Sequence, residues 1–229
     1  MPKNSSQDAS NRSVKQPAHQ AVYENLRDQI LFGEMAPGQA VTIQGLTEQL
    51  DAGMTPVREA IRRLTSDGAL NMMGNRRVTV PELTEECLEE LEFMRQSLEP
   101  ELARRAVQHI TDDDVEALKQ LDDNLNTAIE MGDIGTYLKQ NYRFHAALYA
   151  LARAPIVAAT VDRLWLQFGP SLRVVCGRYG TLNLPDKHAD LLDALNLGDG
   201  EAAKNAMAGD IQQGMSQIRN ALRTTLQTD

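Results

Sequence analysis

From residue 19 onward, apolar side chains recur at helical spacing almost to the end of the chain, with one interruption. Val22, Leu26, Gln29 and Ile30 fall at i, i+4, i+7 and i+8 and predict a helix over 19–32, ended by Gly33 and a turn at Pro37-Gly38. Ile43, Leu46 and Leu50 predict a second helix over 43–50, with Thr42 as its cap. Val57, Ala60, Ile61 and Leu64 predict a third over 56–66. Thr55 is suited to cap it, and Pro56 to be its first helical residue, where a missing N–H needs no partner. Asp67-Gly68 stops that helix. The spacing then shortens, and 69–73 and 77–80 read as two strands around a turn at Gly74-Asn75. Three helices followed by a hairpin make a winged helix-turn-helix over 18–80. Residues 1–17 are polar and aperiodic and are expected to form a disordered tail.

Pro81 marks the expected domain boundary. Beyond it the pattern is helical throughout, with helices near 84–108, 112–131, 134–152, 155–178, 186–197 and 200–226. Cap or breaker residues separate them: Thr111-Asp112, Gly132-Asp133, Ala154-Pro155, 180–185 and Gly198-Asp199-Gly200. Short links favour antiparallel neighbours. The expected fold is mainly α: an N-terminal winged helix-turn-helix plus a C-terminal antiparallel six-helix bundle over 81–229, the bundle serving effector binding and dimerisation.

Charge refines this division. The 229 residues carry a net charge of −9, which is unfavourable for a nucleic-acid binder taken whole. Residues 1–80 hold nine Lys/Arg and eight Asp/Glu, a net of +1, whereas 81–229 hold fourteen and twenty-four, a net of −10. Residues 55–77 carry five Arg against two acids. Positive charge is therefore concentrated on the predicted third helix and hairpin, and the acidic half belongs away from phosphates. Aromatic residues make up only 4%, so the core must be built from Leu, Ile, Val, Ala and Met. No apolar run approaches the roughly 18 residues of a membrane span, and the N-terminus has no signal-peptide core. Cys87 and Cys176 form no CxxC pair and read as structural thiols of a cytoplasmic protein.

Arg58, Arg62 and Arg63 lie on the polar side of the third helix. A major groove admits one helix, whose N-terminal residues meet base edges, and arginine grips guanine bidentately. Thr55 and Arg58 are placed to read bases, Arg62 and Arg63 to meet phosphates, and Arg76 and Arg77 to reach DNA from the wing. Charge alone serves a solvated protein-interaction face equally well. The run Thr55-Pro-Val-Arg-Glu-Ala60 resembles the signature of the GntR family of regulators residue for residue, and Ile61 conservatively replaces its final Leu. This resemblance covers about 19–80. It implies that Thr55 and Arg58 contact DNA; with the reading of the helix and wing, the candidate DNA-binding set is Thr55, Pro56, Arg58, Arg62, Arg76 and Arg77, facing a near-palindromic double-stranded operator through a homodimer. Met54 stands where the family usually has arginine, Gly53 where it has Ser or Thr, and Arg77 where a glycine is common.

A second set of residues interrupts apolar stripes. Positions 88, 91, 95, 98 and 102 are Leu, Leu, Arg95, Leu and Leu. A buried arginine needs a partner, which a carboxylate ligand or an internal acid such as Glu99 would each supply. Asn141 and His145 share a face at i, i+4; His188 sits on the side of Leu191 and Leu195; Asp210 lies beside Met207 and Ile211. Inward N/O groups from three helices suit a divalent metal, and satisfied core polar groups are the plainer alternative. Arg95 with Leu98-Glu99, Asn141-x-x-x-His145 and His188 make 81–229 resemble the FadR subgroup, with an FCD-type effector domain. The resemblance implies a zinc or nickel ion on Asn141, His145, His188 and Asp210. It also implies a small carboxylate effector held by Arg95, Asn141, His145 and His188. Asn141 replaces the family's usual acid, and Asp210 falls where a third histidine is expected. The chain has no HExxH and no nucleophile elbow, so no enzyme is expected. The expected function is that of a ligand-responsive DNA-binding regulator, a repressor in sign.

Overall fold

The computed structural model describes residues 17–73, 77–179 and 187–226. Residues 1–16 of the tail expected over 1–17, the wing turn with Arg76, and the link over 180–186 lie outside them.

The N-terminal part comprises α1 (Ala18–Leu31), β1 (Ala40–Thr42), α2 (Ile43–Gln49), α3 (Met54–Ser66), β2 (Asn71–Met73) and β3 (Arg77–Thr79). The sheet is antiparallel in the order β1-β3-β2, with Val78 opposite both Val41 and Met72. β1 was absent from the sequence expectation: three residues carry too little periodicity, and only pairing with β3 makes them a strand. Leu26, Ile30, Leu46, Val57, Ile61, Leu64, Leu70 and Val78 are buried and form an apolar core. The start of α3 corrects a second expectation. Gly53 is its N-cap, in extended conformation, so Thr55 and Pro56 occupy the second and third helical positions instead of the cap and the first. Pro56 still carries no penalty there, because the first turn's N–H groups have no intrahelical acceptor.

The C-terminal part is the expected bundle of α4 (Glu85–Ala106), α5 (Asp112–Met131), α6 (Ile134–Leu151), α7 (Pro155–Tyr179), α8 (Lys187–Asn196) and α9 (Gly200–Leu226). Its helices start where side chains can satisfy orphan amides. Thr84 accepts from the Cys87 amide, Thr111 and Asp114 form a reciprocal capping box, and Asp133 accepts from the Thr136 amide. α4 packs along α9 and also touches α6 and α7, while α5 lies against α6 and α8.

The two parts share one continuous core, joined where α1 packs on α7. The joint is close because α7 has a glycine there: a Cβ at Gly169 would lie 2.5 Å from the Leu31 carbonyl oxygen. Gly33 follows α1 at φ +66°, with its own Cβ direction 2.6 Å from Cβ of Arg173. Polar contacts flank the joint. Arg27 Nη2 of α1 donates to the Tyr142 hydroxyl and to Asp162 Oδ1, both at 2.6 Å, and the Tyr142 hydroxyl donates to the same carboxylate at 2.5 Å. Shared between this acid and the guanidinium, the Tyr142 hydroxyl is nevertheless pushed up to about 12, burial being the largest cause.

Candidate functional site

The predicted base-reading residues stand on the outer face of α3. Thr55, Arg58 and Arg62 are exposed, Pro56 is half-buried, and Met54 is 47% exposed at the helix start. Arg62 is engaged, donating Nε and Nη2 to the two Glu59 oxygens at 3.0 and 2.7 Å. A solvated pair of this kind is weak and leaves Arg62 free to exchange partners. Arg63 faces the other way, against the phosphate-contact expectation. Its guanidinium lies 3.7 Å from the Tyr23 ring centroid and donates to Gln20 Oε1 at 2.9 Å, joining α3 to α1. Arg77 is exposed on β3.

The interior residues converge. Arg95 is 4% exposed, in the seam between the buried Leu91 and Leu102. Its fork is filled: Nε and Nη2 donate to the two Glu99 oxygens at 2.5 and 3.0 Å. Its guanidinium lies 4.0 Å from the Phe168 ring centroid. Of the two partners open to Arg95 at sequence level, the internal acid is the one in place. Tyr149 donates its hydroxyl to Glu99 Oε2 at 2.5 Å and lies 3.1 Å from His145 Nδ1. Because the phenol's one proton goes to Glu99, its oxygen accepts from His145, which assigns the imidazole proton to Nδ1 and leaves Nε2 a bare lone pair. His188 repeats the arrangement. Its Nδ1 lies 2.8 Å from Asp122 Oδ1, and Asp122 Oδ2 accepts from Asn126 at 3.1 Å. This contact with Asp122 orients the His188 ring.

The two Nε2 atoms lie 3.4 Å apart, and Asp210 Oδ2 lies 3.4 Å from Nε2 of His145. Candidate ligand atoms of His145, His188 and Asp210 all fall within 4.8 Å of one another. Donors each about 2.0–2.1 Å from a tetrahedral ion are themselves roughly 3.4 Å apart, which these two separations match. Burial, with the neighbouring His188 and Arg95, holds His145 well below the usual imidazole range and therefore neutral. Burial raises the Asp210 carboxyl, against the pull of His188 and Arg95. Asn141 sits one turn before His145 on α6, half-buried, and completes the predicted face without joining the three-residue cluster. Sequence reasoning missed Asp122, Glu99 as a firm partner, and Tyr149, which together orient the donors.

Comparison with known proteins agrees with this architecture. The model of bacterial regulatory proteins of the gntR family matches residues 18–80, and the FCD domain model matches 90–213. The HTH-type transcriptional regulator McbR of Escherichia coli K12 is 32% identical over 201 residues, spanning 85% of this chain and 90% of that protein. The E. coli repressor RspR is 26% identical, spanning 89% and 90%. The solved structure of E. coli McbR/YncC matches with a TM-score of 0.85 at 30% identity, covering 89% of this chain and 98% of that one. A GntR regulator from Rhodococcus sp. RHA1 shares the fold, with a TM-score of 0.74 at 23% identity, over 89% and 98%. These families and relatives are regulators, in line with the expectation of no enzyme. The chain belongs to the GntR family of transcription regulators, with a winged helix-turn-helix followed by an FCD domain.

Proposed function

We propose that this regulator is a homodimeric repressor that binds a near-palindromic operator and is controlled by a small carboxylate bound beside a divalent metal. The division of labour falls near Pro81, with reading before it and sensing after it. α3 enters the major groove, Thr55 and Arg58 contact base edges, and Pro56 shapes the helix start. Arg62 and Arg77, with Arg76 of the wing, meet phosphates. Met54 substitutes an apolar contact for the family's usual arginine. With DNA as its target, the protein works in the cytoplasm.

In the bundle, His145, His188 and Asp210 would hold zinc or nickel, and Asn141 offers a weaker neutral oxygen nearby. When bound, the ion supplies a Lewis-acidic position for a ligand oxygen. The chain's own residues do the rest. Tyr149 and Asp122 orient the two imidazoles, and the Arg95 guanidinium supplies a second positive group, provided the effector shares it with Glu99. A ligand acts on DNA only through different affinities for two domain arrangements, and the α1–α7 joint gives those arrangements a physical link.

The convergence of His145, His188 and Asp210, whose candidate ligand atoms all lie within 4.8 Å of one another, is the observation that carries the sensing half of this reading. The test is selection of genomic fragments by the purified chain at near-physiological salt, with zinc, nickel or chelator. An enriched near-palindrome supports operator binding, and one ion bound per chain, lost in His188→Ala, supports the metal. No enrichment under any of these conditions overturns the DNA assignment. Zinc uptake that His188→Ala leaves unchanged overturns the metal site.

A further inference from the structure

The first helical residue of α3 is Met54. Its side chain is 47% exposed, whereas Val57, Ala60, Ile61 and Leu64 of the same helix are fully buried. Side chains four residues apart on a helix lie one above the other, so Met54, Arg58 and Arg62 form one row on the outer side of α3. All three are exposed. A surface that presents Arg58 to a partner therefore presents Met54 to the same partner, one turn nearer the helix start. The approach to it is open. Ala52 and Gly53 precede Met54 and carry no bulk that would hold a partner away, and Gly53 caps the helix without a side chain.

What Met54 can recognise follows from its chemistry, given the reading above that α3 lies in a DNA major groove. Every base edge in that groove presents hydrogen-bonding groups, and unmodified DNA offers one apolar group there, the 5-methyl of thymine. A thioether has no donor and is only a weak acceptor. Pressed against guanine, adenine or cytosine, it displaces water from a polar edge and returns no hydrogen bond, which is costly. Against thymine it covers a methyl, and its unbranched chain is pliable enough to follow one.

We propose that Met54 is a specificity-determining residue of the reading helix and selects a thymine in each operator half through its 5-methyl group. Arg58, on the same row, grips a guanine of the same half. Four residues advance roughly 6 Å along a helix, and base pairs are about 3.4 Å apart. The thymine therefore lies within about two base pairs of that guanine.

The test uses the full-length protein and a site selected from genomic fragments. Deoxyuridine, which lacks only the methyl, replaces the thymines of the two halves one symmetric pair at a time. At one pair, binding should weaken about fourfold per half-site, as for one buried methyl-sized group, and about fifteenfold for both halves together. Met54→Ala should bind the thymine and deoxyuridine sites alike at that pair. Met54→Leu keeps an apolar contact and should retain the difference. Position 54 is exposed and both replacements are strong helix formers, so both variants keep the fold. Binding that is indifferent to every deoxyuridine pair overturns the proposal, and so does a penalty that Met54→Ala leaves unchanged. Failure to select any site overturns the placement of α3 in the groove, and the proposal with it.

Discussion

The winged helix and the bundle place their chemistry on opposite sides of the protein surface. In the N-terminal part the core is apolar, and the residues assigned to DNA, Thr55, Arg58 and Arg62, stand in solvent. Among the described residues, every buried polar or charged side chain belongs to the bundle: Arg95, Glu99, Asp122, His145, Ser171 and His188. A reader must offer its charges to a partner that arrives from outside. A sensor that discriminates small molecules works in a low dielectric, where each charge must be answered by another. Substitutions in the first region should therefore separate binding from stability, and substitutions in the second should not.

The largest expected effect is at Glu99. Glu99→Ala strands the Arg95 guanidinium and removes the acceptor of Tyr149, and about 3–5 kcal/mol of unfolding free energy should be lost in urea titration. Pairing Arg95→Met with Glu99→Leu should recover much of it, because an apolar pair of similar volume needs no compensation. A loss below about 1 kcal/mol for Glu99→Ala would break the comparison, since surface substitutions commonly cost that little. Next is Asp122→Asn, which weakens the hold on His188 Nδ1 and should lower zinc affinity about 10–100-fold in competition with a chromophoric chelator. On the outer side, Arg58→Ala should weaken operator binding by about 1–3 kcal/mol while leaving the urea midpoint within roughly 0.5 kcal/mol of the parent. A destabilised Arg58→Ala would mean that α3 is not a free reading surface.

The smallest effect is a pH dependence. Hydrogen bonds from Arg104 and Arg105 bring the Glu101 carboxyl down to about 2 from an ordinary 4.5. A depressed carboxylate stabilises the fold fully above its unfolded value, and this contribution is lost as pH falls from about 4.5 towards 2. Glu101 is 36% exposed on its side chain, so solvent screening keeps the gain within roughly 1 kcal/mol. Glu101→Gln should remove that gain at neutral pH, flatten that part of the acid-denaturation curve and leave stability near pH 2 unchanged.

Helices were legible because burial follows a 3.6-residue period: Leu88, Leu91, Arg95 and Leu102 do line one buried seam. The same rule applied to α5 would have exposed Asp122, which sits between Leu118 and Leu125 on that helix's buried stripe. It went unnoticed because Asp123 and Asn126 beside it make the stretch look like solvated surface. Arg63 misled for a related reason, since periodicity gives its helix face but not the Tyr23 ring waiting there. β1 and the Gly53 cap depend on distant pairing and backbone angles, which residue type alone does not fix. The convergence of His145, His188 and Asp210 was legible as inward-facing positions, whereas their separations depend on how α6, α8 and α9 are spaced.

Gly169 leaves the end of α1 lying against α7 with no side chain between them. A joint of this sort has no slack, so the reading heads of the proposed dimer do not hang on strings. Their reach is set by the skeleton itself. One base pair inserted between the operator halves turns the second half by roughly a tenth of a helical turn, and a packed α1–α7 joint resists following it. Spacer length should then be as strictly selected in its operators as the bases it touches.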